Sequence, residues 1–394
     1  YSGYAAEINV ILRQYYEALN TCTASSGGKI SVKYEDINAD PALGNAYTKY
    51  GITNYDTLLV RGDKYQIIHL TDLLTQEAND YYGSSYTYTS KVEQALMSKL
   101  HIVNSDESMK MVFLTGHEEN AIVLKNLKTL YTNNGYEVEE VNALTMPELG
   151  DDVDMVVIPA PAKDYTAEEV KWLSEWMNND GKLGRNLFFM VNYQAEYKEL
   201  GALMRDTYGI TITDNLIQET DNNKLLMRDK YTSLVDIPQT SLTADIVGKN
   251  VVLGPTRQLI GSSDWSAEGD EDASRILASL VNYGDTARLV PMKDVLGDET
   301  SDEDTSVKAD SYPVSGMMYS YRFDTDNNTG TGMPTKLESK VLVCGGMASV
   351  ADTYLNGAAF YNEELLLNSI NTILGNKDTV SISSKVVSSD TFTM

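Results

Sequence analysis

Hydrophobic positions change period several times along this chain, and each change marks an element. Ile8, Ile11, Leu12, Tyr15, Tyr16 and Leu19 recur at helical spacing, so residues 4–19 predict an amphipathic helix ended by Gly27 and Gly28. Residues 29–37 alternate apolar and polar as a strand does, and Asn38-Ala39-Asp40-Pro41 opens a short helix that Gly51 closes. Two strands, 57–61 and 65–70, flank the turn Gly62-Asp63-Lys64. The tyrosine-rich stretch 79–90 then breaks the pattern and sets a boundary at residue 88.

A different rhythm follows. A helix at 91–103 leads to a strand at 109–114, a helix at 118–133 stopped by Gly135, and a strand at 136–141. Residues 155–158 and 187–191 are unbroken apolar runs, as expected of strands buried on both faces of a parallel sheet. Between them Thr166, with Glu168 and Glu169 in the following turn, is an N-cap signature for a helix over 166–179. A helix over 195–208 ends at Gly209. This βα alternation predicts an α/β fold whose main part is an open, doubly wound, mainly parallel sheet of the flavodoxin kind. Beyond Ile210 the signal weakens, with strands expected at 251–253, 287–290 and 317–323. The run from Val341 to Cys344, followed by a helix over 362–374, is expected to rejoin the same sheet after an irregular insertion around 222–336. The resulting division is a module over 1–88, an α/β domain over 89–380 and a tail over 381–394 leading towards a membrane anchor.

In the first module the order helix, strand, helix, strand, strand is that of a partial thioredoxin-like fold without its first strand. Its redox chemistry is missing. Thiol–disulfide exchange of that type needs two cysteines two residues apart, and the only cysteines are Cys22 and Cys344. The place of the usual cis-proline reads Asn54-Tyr55-Asp56-Thr57. The module is therefore expected to bind or dock. Tyr81, Tyr82, Tyr86 and Tyr88 are either a contact surface or a linker packed on its neighbour.

Charge narrows the function further. The 394 residues carry 57 Asp plus Glu against 31 Lys plus Arg, a formal net charge of −26. Phosphate backbones and anionic lipid surfaces are bound by cations, so nucleic acid is excluded as a partner and membrane attachment would have to be hydrophobic. No stretch approaches the roughly 18 apolar residues that span a bilayer, and no signal peptide opens the chain. Since it begins Tyr1-Ser2-Gly3-Tyr4, it is expected to be an excised segment whose membrane anchors flank it.

Candidate chemistry is sparse. Thr115, Gly116, His117 and Glu119 stand at the end of the first strand of the doubly wound part, where such folds place ligands. His117 is either a ligand or base, or a residue whose hydrogen bonds start the next helix. Nucleophilic catalysis on this scaffold needs a thiol or hydroxyl on a strand-to-helix turn with a histidine beside it, yet the turn after residue 191 reads Asn192-Tyr193-Gln194-Ala195. Cys344 is the one tempting thiol, and His69, His101 and His117 are the only histidines. Asp324, Asp326 and Asn328 alternate as in a calcium loop, but Thr329 and Thr335 stand where an EF-hand has its glycine and bidentate acid. Both glycine-rich phosphate fingerprints are missing from the sequence, so no cofactor is expected and the chain is not an ATPase.

The segment Val32 to Pro41 with Tyr47 to Gly51 resembles a family pattern of aspartate, asparagine-proline, then lysine-tyrosine-glycine. Phe113-Leu114-Thr115-Gly116-His117-Glu118-Glu119 resembles that family's T-G-H-G-E, from which Glu118 departs. Further matches are Met155 to Pro161, Thr166 to Glu169, Gly181 to Leu183, Val343 to Gly346 and Asn368. In order and spacing these resemble the extracytoplasmic auxiliary component of gliding-motility-type ABC transport systems. The resemblance implies an ectodomain held between transmembrane helices at the outer face of the cell membrane. It also implies a thioredoxin-like module, a class I glutamine amidotransferase-like module, and permease and ATP-binding subunits as partners. The expected function is non-catalytic binding of a protein or solute in transport. The alternatives are a hydrolase using Cys344 or an unrecognised serine, and a carbohydrate- or peptide-binding module with Trp265 and the tyrosines as stacking surfaces.

Overall fold

The computed structural model describes residues 6–36, 47, 52, 56–62, 64–78, 86–104, 109–270, 273–296, 305–326, 335–355, 359–375 and 385–387. The first module contains helix α1 (Ala6–Ser25), the hairpin β1 (Thr57–Arg61) and β2 (Lys64–Ile68), strands β3 (Leu74–Ala78) and β4 (Tyr86–Ser90), and helix α2 (Val92–Asn104). Ile11, Tyr15 and Leu19, one turn apart on α1, bury against Ile68, Leu73, Val92, Ala95 and Leu96. The helix assigned from sequence to the second unit thus belongs to the first core, because its apolar face meets α1. The strand expected over 29–37 is not formed at residues 30–36, which have no ladder partner among the described residues. The helix expected over 38–50 lies outside them, apart from Tyr47.

The second part opens with β5 (Lys110–Thr115), α3 (Ala121–Asn133), β6 (Glu137–Asn142), β7 (Val153–Pro159), α4 (Ala167–Asn178), β8 (Asn186–Met190) and α5 (Glu199–Tyr208). The chain then builds β9 (Ile210–Glu219), β10 (Leu225–Leu226), β11 (Asp229–Val235), β12 (Val251–Leu253), β13 (Arg257–Gly261), β14 (Arg275–Tyr283) and β15 (Ala287–Pro291). It continues through α6 (Met292–Leu296), β16 (Val314–Asp326), β17 (Thr335–Cys344), α7 (Asp352–Leu355) and α8 (Asn362–Leu374). The stretch expected to be irregular around 222–336 thus contains strands β10 to β16, joined by long non-strand segments. Last, β18 (Lys385–Val387), within the expected tail, pairs antiparallel with β4 of the first module.

Strands β6, β5, β7, β8 and β17 lie side by side in that order, all parallel, so the fold is α/β with the expected doubly wound core. The return of β17 alongside β8 is the re-entry anticipated from the run ending at Cys344. β16, β13, β9 and β15 extend the sheet antiparallel from β17, and β14 also pairs with β16. Strict alternation divides the buried side chains between two layers. Phe113, Val157, Phe188, Leu342 and Cys344 face α3 and α8, whereas Leu114, Val156, Phe189 and Val343 face α4 and α5. The chain leaves β5 towards one edge and β7 towards the other, which opens a crevice at their carboxyl ends.

Lys91, just before α2, pairs with Glu363 of α8 at 3.0 Å, both side chains mostly buried. Burial first, and the charge of Glu363 second, push the neighbouring Glu364 carboxyl up to about 7 from 4.5. A raised pKa favours the folded state fully below pH 4.5, and that advantage is lost as pH rises through about 7. Glu364→Gln is expected to stabilise the protein at pH 8 by roughly 2 kcal/mol, given about 1.4 kcal/mol per pKa unit and some solvent access. Urea unfolding of both proteins should show the gap closing near pH 4.5. A gap independent of pH would refute this assignment.

Candidate functional site at the strand switch

Residues 115–120 carry the chain out of β5 into α3, and each has a structural task. Gly116 sits at φ +116°, and a Cβ there would lie 2.6 Å from the side-chain oxygen of Asn142, so a glycine is required. Glu118 and Ala160, at the ends of the two switch strands, also hold positive φ, 56° and 55°. Such strain persists where surroundings over-determine the backbone. Here they do: Ala162 and Lys163 N–H donate to the His117 carbonyl at 3.0 and 3.1 Å, and Asn120 N–H donates to the Ala160 carbonyl at 3.2 Å. Ala160 N–H donates to Met190 and Val191 N–H to Cys344, which ties the ends of β7, β8 and β17 together.

The crevice offers two adjacent backbone donors, and its own acid occupies them. Gly116 and His117 N–H donate to the Glu119 carboxylate at 3.0 and 2.9 Å. Thr115 donates its hydroxyl to the Val141 carbonyl at 3.3 Å. Asn120, not a residue of the T-G-H segment, caps α3 by accepting from Ile122 and Val123 N–H. Both readings of His117 therefore miss its main contacts. Its ring is buried, stacks on Tyr165 with centroids 3.9 Å apart, and places Nε2 3.2 Å from the carboxylate of Glu169. The other ring nitrogen, Nδ1, is buried with no hydrogen-bond partner.

Glu169 closes the capping box foreseen at Thr166 and uses one oxygen for three partners. Oε2 accepts from Thr166 N–H at 2.7 Å, from the Thr166 hydroxyl at 2.8 Å and from His117. Burial pushes this carboxyl up, but those hydrogen bonds and the His117 charge outweigh it and hold the pKa below the usual glutamate value. Asp164, two residues before Thr166, caps a different helix: it accepts from Lys198, Glu199 and Leu200 N–H at 2.6 to 3.2 Å. Tyr197 links the same loops, accepting from Asn192 N–H and donating to the Pro161 carbonyl. Glu169, Tyr165, Asp164 and Tyr197 were not singled out as site residues from sequence. The capping box was the one local signal pointing to any of them.

The possible nucleophiles lie elsewhere. Cys344 is completely buried, its thiol donates to the Gly346 carbonyl at 3.4 Å, and burial pushes its pKa up. It faces the α3–α8 layer, while His117 stacks on Tyr165 in the α4–α5 layer, so the sheet separates thiol from imidazole. Asn192, on the turn after β8, uses its side-chain oxygen to accept Gln194 N–H. His69 contacts Asp56 at 3.1 Å in the first module.

The remaining sequence candidates do not gather at this crevice. Tyr88 is buried in the first module's core, so it cannot be part of a contact surface, and Tyr86 lies on β4 opposite Ala78. Tyr81 and Tyr82 fall outside the described residues. Asp324 and Asp326 lie on β16 paired with Leu337 and Thr335, so these two candidate calcium ligands stand in a strand and not a loop, and Asn328 is outside the described residues. Among the described residues no group of three or more His, Cys, Asp or Glu side chains is arranged to hold a metal ion. No described helix is long and apolar enough to cross a membrane.

No protein-family model matches the chain, and no curated protein matches it. Among solved structures it is similar to the mmIFT52 N-terminal domain, at 12% identity and TM-score 0.45 over 67% of this chain and 97% of that one. It is also similar to the exo-beta-1,4-mannosidase Op5Man5 from Opitutaceae bacterium strain TAV5, at 9% identity and TM-score 0.34 over 72% of this chain and 38% of that one. A glutamine amidotransferase from Thermotoga maritima aligns at 6% identity and TM-score 0.30 over 68% of this chain and 99% of that one. These are distant likenesses of fold alone.

Proposed function

We propose that this chain is a non-catalytic accessory domain of an ABC transport system. In this reading, flanking segments hold it at the outer face of the cell membrane, where it binds a protein partner or solute. The supporting observation is the separation of Cys344 from His117 by the sheet, in a fold whose carboxyl edge is otherwise closed by its own hydrogen bonds. Acyl-transfer chemistry needs a nucleophile and base within hydrogen-bond reach. The backbone donors that could stabilise an oxyanion at the crevice are already engaged by Glu119. The transport partners rest on the sequence resemblance carried by the order and spacing of segments spread over most of residues 32–375.

Affinity purification of the full-length protein from detergent-solubilised native membranes, followed by mass spectrometry, tests the assignment. Permease and ATP-binding subunits are expected with it; recovery of the protein alone, beside a control transporter that stays intact, would sink the proposal. The hydrolase alternative has its own test. A maleimide probe is expected to label the half-buried Cys22 and leave Cys344 unlabelled in the native state. Rapid native labelling at Cys344, with turnover of an amide substrate lost in Cys344→Ala, would restore the enzyme reading.

A further inference from the structure

At the amino end of the parallel strands, opposite the switch crevice, the end of α4 and the β14–β16 ladder enclose a cleft of about 340 Å³. Two of its lining residues, Arg275 and Arg322, are directly opposed partners in the antiparallel ladder. Directly opposed residues of such a ladder present their side chains on the same face within contact range, and like charges there repel. The guanidinium of Arg275 lies over the Trp265 ring, 5.7 Å from its centroid, which leaves its forked edge open to another partner. Neither arginine is ion-paired with a carboxylate among the described residues. In a chain with 57 acids and 31 basic residues, two adjacent guanidinia outside any ion pair run against composition.

We propose that this cleft binds a small hydroxylated monocarboxylate through Arg275 and Arg322. Paired N–H donors of a guanidinium match the two oxygens of a carboxylate, and two guanidinia side by side can share one such group. Asp324, two residues from Arg322 on the same strand, also lines the cleft, so the lining holds two guanidinia and one carboxylate. Beside the Asp324 carboxylate a monoanion is repelled less than a phosphate dianion. Beside Gly181, Leu183 and Phe323, the lining also carries Asn178 and Ser274, whose side chains can hydrogen-bond hydroxyl groups. This site is separate from the switch crevice and does not depend on the transport reading.

Calorimetric titration with gluconate, glucose and inorganic phosphate at matched ionic strength tests the proposal. Gluconate is expected to bind saturably, with phosphate and glucose at least about tenfold weaker. Arg275→Gln and Arg322→Gln should each weaken gluconate about tenfold or more while the far-ultraviolet dichroism stays unchanged. Asp324→Asn, which alters neither guanidinium, should narrow the preference for gluconate over phosphate. No saturable gluconate binding up to roughly 10 mM, binding unaffected by both arginine substitutions, or phosphate binding more tightly than gluconate would each overturn it.

Discussion

Arg257→Ala is expected to lower the unfolding free energy by about 4 kcal/mol, the largest effect of any substitution considered for this protein. Arg257 begins β13 and is 1% exposed. Its Nε donates to the Thr213 carbonyl at 2.5 Å, Nη1 to the Ala195 carbonyl at 2.9 Å, and Nη2 to Asp214 at 2.6 Å. One side chain thus ties the turn after β8 to the antiparallel extension. Burial lowers its pKa, opposed by the charge of Asp214, so holding the cation inside has a cost that those acceptors offset. Asp214 is 87% exposed, so truncation strands no buried carboxylate. The loss comes instead from two unsatisfied carbonyls, at about 1–3 kcal/mol each if they remain dry, and from the cavity left behind. Arg257→Lys should lose nearly as much, since one ammonium cannot reproduce the fork. Arg257→Met should recover part of the packing. Urea unfolding at pH 7 measures all three, and a loss below about 1 kcal/mol for the alanine variant would refute the structural role.

Much of the doubly wound core is legible in the sequence because its strands are buried on both faces. Met155 to Ile158 and Leu187 to Val191 suit no exposed element; the first run lies within β7, and the second forms β8 up to Met190. The Thr166 cap is equally local, its hydroxyl accepting from Glu169 N–H in a capping box. What failed depended on distant partners. Helix α5 begins at Glu199 and not near Ala195, because Asp164, 34 to 36 residues earlier, caps Lys198, Glu199 and Leu200. Val92, Ala95 and Leu96 face α1 for a reason no period reveals: the two helices meet only in the folded module. The β10–β11 turn places Met227 and Arg228 at φ 50° and 62°, although neither residue signals a turn requiring positive φ. The same division applies to the crevice. His117 and Glu119 could be nominated from their position after β5, whereas the Glu169 contact spans 52 residues and needs α4 to be laid against the β5 exit loop. Segment-by-segment reading finds the strand switch; only packing shows that the protein's own carboxylates occupy it.

Glu169 is where that occupation carries the most energy. Glu169→Ala is expected to cost about 3 kcal/mol, from loss of the capping box, worth about 1 kcal/mol, and from leaving the buried His117 ring without its carboxylate. Since Nδ1 already lacks a partner, both ring nitrogens would then be unpaired in a dry site. Glu169→Gln provides the control, because a single amide oxygen can accept the three hydrogen bonds now made to Oε2. It should lose only about 1 kcal/mol, the part due to charge. The pH dependence separates the two effects. A carboxyl whose folded pKa is depressed contributes stability above its unfolded pKa, and that contribution is lost as pH falls through the folded value. The gap between wild type and Glu169→Gln should therefore be present at pH 7 and close on the acid side of about pH 4, whereas the cavity and cap terms of Glu169→Ala persist there. If the glutamine variant were as unstable as the alanine variant at every pH, charge and shape would not separate. The buried His117–Glu169 contact would then be packing rather than an electrostatic clamp on the strand switch.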